Sequence, residues 1–154
     1  MRARTILLTL VLCSVGAAIC SAQAANMGTW KLNEVKSKLA PGGPKNSTVV
    51  YEAAGANVKI TVDGFDGDGK PVHSEWTGKF DGKDYPVTGD PSSDSRSYKQ
   101  IDDRTLQLTV KKGDKITTSG RIVVSADGKS RTVTVSGTDA TGKKFRSTAE
   151  YDKQ

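Results

Sequence analysis

His73-Ser74-Glu75 sets the only histidine of the chain beside a hydroxyl and a carboxylate. A nucleophilic relay needs that base oriented by a third group and set against its nucleophile in a pocket. In an extended segment His73 and Glu75 share one face, opposite the face that carries Trp76. They therefore read as a solvated outer pair. Asp63, Asp66 and Asp68 are spaced somewhat like a calcium loop. Calcium wants about six to eight oxygens, and Lys70 stands where a further acid would be needed. Turn chemistry is the better account of those aspartates. Arg96-Ser97-Tyr98-Lys99 is the one basic-aromatic cluster, and it reads as an ordinary strand edge. No glycine-rich phosphate loop is present, and no pair of acids stands out for glycoside chemistry. No catalytic residue, metal site or cofactor is expected, and the chain reads as a non-enzyme.

The elements that carry these residues begin after a leader. Arg2 and Arg4 precede an apolar run from Ile6 to Ile19, and Ala22-Gln23-Ala24 supplies small residues for a signal peptidase. The run is short for a spanning helix, so no stable membrane insertion is expected. Cleavage near Ala24 divides the chain into a signal peptide, 1–24, and a single domain, 25–154. Cys13 and Cys20 both lie in the leader, which leaves the mature chain free of cysteine. That composition fits a bacterial periplasm or the culture medium better than a disulfide-rich secreted context.

At 154 residues one domain is expected, long enough for a core without disulfides. The formal net charge of +6 falls by the two arginines of the leader, and the remaining Lys and Arg are scattered among Asp and Glu. Such a mixed surface does not predict nucleic-acid binding.

Beyond Ser47 apolar and polar residues alternate, as in Val58-Lys59-Ile60-Thr61-Val62 and Leu106-Gln107-Leu108-Thr109-Val110. Asp-Gly and related turn signals separate the runs. The pattern predicts about ten strands, near 27–32, 47–54, 57–64, 70–80, 84–88, 95–101, 104–111, 115–125, 130–137 and 143–152. Asn33 to Lys38 has room for one capped helical turn. Short connections make an antiparallel meander, and closure into a barrel removes its two edges. A β-sandwich is the alternative. Shifting the chain by 73 residues lays 48–74 over 121–147, so that Gly64-Phe65-Asp66 to Gly69-Lys70 faces Gly137-Thr138-Asp139 to Gly142-Lys143. Duplication and independent recruitment of the same turn chemistry both explain the match.

Period-two bookkeeping points Val72, Ser74, Trp76, Gly78 and Phe80 inward. It does the same for Ile116, Thr118, Gly120, Ile122 and Val124, and for Phe145, Ser147, Ala149 and Tyr151. Small residues among large ones either make room for Trp76 in a filled barrel or leave a lined cavity. If there is a cavity, its lining is expected at Tyr51, Ile60, Trp76, Phe80, Leu108, Ile122, Phe145 and Tyr151.

The mature opening Gly28-Thr29-Trp30-Lys31-Leu32 resembles the Gly-x-Trp signature of lipocalins and the opening strand of fatty-acid-binding proteins. The resemblance implies a lipocalin-like (calycin) barrel of small exported bacterial type, with Trp30 plugging one end. Lipocalins also pack an arginine over that tryptophan. The Arg-x-Tyr pair of fatty-acid-binding proteins is not reproduced, since Ala149-Glu150-Tyr151 occupies its place. The function expected is binding of a small hydrophobic or amphipathic molecule inside the barrel. The alternative is a non-ligand-binding envelope or protein-interaction module.

Overall fold

A computed structural model describes residues 21–139 and 141–154. The leader's arginines, its apolar run and both cysteines lie outside the described residues. A short helix, α1 (Ser21–Asn26), precedes ten strands. These are β1 (Gly28–Leu32), β2 (Lys45–Ala54), β3 (Asn57–Phe65), β4 (Pro71–Gly78) and β5 (Tyr85–Thr88). They continue as β6 (Ser95–Gln100), β7 (Thr105–Lys112), β8 (Lys115–Val124), β9 (Ser130–Thr138) and β10 (Lys144–Lys153). Each strand pairs antiparallel with its sequence neighbours, and β1 also pairs with β10, which closes the sheet into a barrel. The meander expected from the alternation is therefore a barrel and not a sandwich, because pairing β1 with β10 satisfies both edges.

Aspartate side chains set the turns. In the β3–β4 connection Asp66 Oδ1 accepts from the amides of Asp68 and Lys70, each at 2.9 Å. In the β9–β10 connection Asp139 Oδ1 accepts from Thr141 and Lys143, again at 2.9 Å. Gly69 and Gly142 close the two turns with φ of 79° and 86°, values a side chain would resist. The likeness extends to the register. Gly64 faces Val72 in one hairpin and Gly137 faces Phe145 in the other, the same pairing displaced by the sequence repeat.

Alternation assigns the interior as the sequence suggests along β4, where Ser74, Trp76 and Gly78 are buried. It does so too over most of β8, where Ile122 and Val124 are buried between exposed Arg121 and Val123. Ile116 departs from the expectation and is 55% exposed. The register shifts between Val110↔Thr118 and Lys111↔Ile116, so Thr117 is an extra residue in β8. A bulge of this kind turns the chain, and Ile116 leaves the barrel with it.

The two ends of the barrel differ. At one end, the base, α1 lies against the strands, and Ala25 and Met27 pack on the core. Trp30 is fully buried there and its Nε1 donates to the Asn26 carbonyl at 2.8 Å. At the other end, the mouth, the segment from Asn33 to Pro44 leaves β1 through a capped turn. The Asn33 side chain accepts from the Lys36 amide and the Asn33 carbonyl from the Ser37 hydroxyl. Lys38 then pairs with Thr148 of β10, and the Ala40 amide donates to Ser147 Oγ at 2.9 Å. Leu39 packs on the core, so this segment covers the mouth beside β10.

Candidate functional site

The interior grades from closed to open along its length. Starting at the base, the inward residues Leu106, Ile122, Val124, Arg131 and Tyr151 are buried. Towards the mouth the same faces continue as Leu108 and Val110, Thr118 and Gly120, Val133 and Val135, and Phe145 and Ser147. All of these are only partly buried. Along β2, β3 and β4 burial persists further, through Val49, Val62 and Ser74. The part of the interior that solvent reaches is therefore the wall formed by β7 to β10. It is mainly aliphatic, with two hydroxyls and one aromatic ring.

The eight residues expected to line a cavity do not gather in one place. Tyr51, Ile60, Trp76, Ile122 and Tyr151 belong to the packed core. Leu108 stands partway up the accessible wall. Phe80 and Phe145 lie at opposite ends. Phe80 borders an open recess of about 200 Å³ at the base with Gln23, Val58, Lys79 and Gln100. Phe145 borders one of about 320 Å³ at the mouth with Ile116, Thr118, Gly137 and Lys144.

Aromatic packing explains why the base is solid. The Trp76 ring stacks on Phe80 at 6.4 Å and meets Tyr98 edge-on at 4.7 Å and Tyr85 edge-on at 5.7 Å. Such offset and edge arrangements favour one fixed packing of the rings. Trp76 Nε1 donates to the Arg96 carbonyl at 2.9 Å, which leaves no orphan donor in the cluster. Burial raises the pKa of Tyr98 well above the usual phenol range. Tyr151 is pushed up to about 12 by burial, although the charge of Arg131 acts in the opposite direction. Both phenols are neutral across the physiological range. Tyr151 uses its hydroxyl to donate to the Asn46 carbonyl at 3.0 Å.

Two charged residues, Arg131 and Arg96, face inward where the sequence predicts none. Arg131 on β9 is 2% exposed, with its guanidinium carbon 4.8 Å from the Trp30 and Tyr51 ring centroids and 4.9 Å from that of Tyr151. Its Nε and Nη1 have no hydrogen-bond partner. The signal was present, since Arg131, Val133 and Val135 share one face of β9. Arg96 on β6 shares the inward face of Tyr98 and reaches Asp90 in the β5–β6 loop, Nη2 to Oδ2 at 2.5 Å. Burial pushes the Asp90 carboxyl up, but hydrogen bonds from Ser92 and Ser93 and the charge of Arg96 outweigh it. The pKa falls below the usual carboxylate range. That pair ties the loop to the barrel.

His73 sits on the outer face, as its alternation with Trp76 requires. Its Nδ1 lies 2.6 Å from Asp63 Oδ1 and its Nε2 3.8 Å from Glu75 Oε1, with all three side chains about half exposed. The hydrogen bond and the charge of Asp63 raise the His73 pKa. Ser74 faces into the core on the other side of the strand. Among the described residues no three His, Cys, Asp or Glu side chains converge on a metal position.

No family model and no curated protein sequence matches this chain. Among solved structures it resembles EF1p2_mFAP2b bound to DFHBI, with 13% identity and a TM-score of 0.52 over 88% of this chain and all of that one. It also resembles the redesigned β-barrel mFAP1 bound to DFHBI, with 17% identity and a TM-score of 0.46 over 86% of this chain and 99% of that one. At such identities the likeness concerns the fold alone, and the fold is a closed antiparallel β-barrel of ten strands.

Proposed function

We propose that this chain is an exported, lipocalin-like barrel that holds a small hydrophobic or amphipathic molecule in its interior and catalyses no reaction. The observation that carries the reading is the accessible wall of Leu108, Val110, Val133, Val135 and Phe145. These residues face inward yet are only partly buried, while the same faces near the base are sealed. An apolar concave wall with a few hydroxyls is how small-molecule sites are commonly built. Trp30 at the base, with Arg131 packed over it, supports the lipocalin-like reading. A barrel of this fold, EF1p2_mFAP2b, is bound to the small molecule DFHBI. Cleavage near Ala24 and release to the periplasm or medium belong to the same proposal and rest on the leader sequence.

The competing reading is a filled barrel that serves as an envelope or protein-interaction module. The ring cluster around Trp76 favours it at the base. Titration with the environment-sensitive dye 1-anilinonaphthalene-8-sulfonate separates the two. An interior site gives a saturable signal that fatty alcohols compete away. Val135→Trp, which fills the wall, removes the signal, whereas Val123→Trp on the outer face leaves it. A signal that never saturates, or that survives Val135→Trp, supports the filled barrel.

A further inference from the structure

The outer surface of the barrel is divided by charge. On β2, β3 and β4 the outward positions include Glu52, Asp63 and Glu75. Lys59 is paired to Glu75 and His73 to Asp63. Across β6 to β10 the composition changes. One outward row runs Lys99–Gln107–Arg121–Thr134–Thr148 through four consecutive strand pairings. The next row towards the mouth runs Thr109–Ser119–Ser136–Arg146. Across these strands neither row contains a carboxylate; beyond Lys99 the first row meets Asp81, whose carboxylate accepts from the Lys83 amide and the Tyr85 hydroxyl. The outward acids of β10, Glu150 and Asp152, lie nearer the base and are engaged with Thr132 and Asn33.

Lys99, Gln107, Ser119, Arg121, Ser136 and Arg146 are exposed. Adjacent strands lie about 4.8 Å apart, so a row over five strands spans about 19 Å. Such a surface offers three cations with no acid between them and, beside them, hydroxyls and an amide that both donate and accept. We propose that this face binds a linear acidic polysaccharide laid across the strands. Arg121, Arg146 and Lys99 meet its carboxylate or sulfate groups, and the Ser, Thr and Gln side chains meet its hydroxyls. A single-stranded nucleic acid would meet the same cations. It is disfavoured because neither row carries an aromatic ring for a base to stack on. This surface is separate from the interior wall, and the proposal stands independently of any ligand inside the barrel.

The test uses the full chain without its leader, with alginate, neutral dextran and an oligo-dT strand as probes at low salt. Alginate binding is expected to weaken as salt rises, and the triple variant Lys99→Ser, Arg121→Ser, Arg146→Ser should weaken it at least tenfold. Lys59→Ser on the opposite face should bind as the parent does, and dextran should not bind. Thermal melts of each variant establish that the fold is intact. Undiminished binding by the folded triple variant overturns the proposal. So does binding of oligo-dT as tight as that of alginate, which would reduce the face to a general attraction for polyanions.

Discussion

The Arg131 guanidinium lies over the Trp30 ring, 4.8 Å from its centroid, at the closed base of the barrel. Tyr51 and Tyr151 flank the same group at 4.8 and 4.9 Å, so three ring faces surround one buried cation. Ring quadrupoles attract the charge, yet they do not satisfy the N–H donors. The arginine thus contributes to packing while retaining an unmet polar cost.

That balance predicts a split between two substitutions. Arg131→Ala removes the stack and leaves a hole, and should destabilise by about 2–4 kcal/mol. Arg131→Met refills the space without orphan donors, and should come within about 1 kcal/mol of the parent or exceed it. Urea unfolding followed by tryptophan fluorescence measures both. Equal losses in the two variants would show that the charge itself is what the base requires.

The Asp90–Arg96 pair should govern the acid limb of stability. The Asp90 pKa is lowered on folding, so its contribution is present above the ordinary carboxylate pKa and disappears as pH falls through the depressed value. Asp90→Asn leaves Arg96 half-partnered in the interior and should cost about 3 kcal/mol near neutrality. The variant's stability should also change less between neutral and strongly acidic solution. Urea midpoints across that pH range provide the check, and an unchanged acid limb would count against the pair.

His73 provides an opposite sign. Its folded pKa is raised, so its link to Asp63 stabilises below the unfolded value and is lost as pH rises through the folded one. An NMR titration of its ring protons should give a midpoint above the ordinary histidine value. Asp63→Asn should bring the midpoint down. Both groups are exposed, so added salt should lower it as well.

Gly137 should tolerate no side chain. A Cβ there would sit 2.1 Å from the Thr117 carbonyl oxygen and 3.0 Å from the Phe145 ring. Gly137→Ala must therefore displace the β8 bulge or the ring, at about 1–3 kcal/mol. The shift should appear in the chemical shifts of Thr117 and Phe145 before it appears elsewhere.

Much of this architecture could be read from residue order. Strict alternation and aspartate-headed turns set the strands within two residues of their observed ends, and the His73 face followed from the position of Trp76. Ile116 could not be read correctly, because nothing in Lys115-Ile116-Thr117-Thr118 announces the extra residue at Thr117. Arg131 was readable in parity yet missed, since a charged residue is normally assigned to solvent and only the three facing rings make its burial tolerable. The eight cavity candidates shared an inward face. Their sequence did not say that Phe80 and Phe145 would sit at opposite ends, because distance along the barrel axis depends on stagger between strands.

The pairing of β1 with β10 brings Trp30 opposite Lys153, so the seam joins the two most distant strands in the chain. Every other strand pair joins sequence neighbours, most of them through a short turn. The seam instead requires the whole meander to curl first, and the loop-closure entropy of nearly the whole domain falls on this one contact. Until β10 is available the sheet has two free edges, and Trp30 lacks one of the strands that cover it. Closure of this barrel thus waits on its final hairpin. Slowing or weakening β10 should lengthen the life of an open, edge-exposed sheet that is prone to pair with its neighbours.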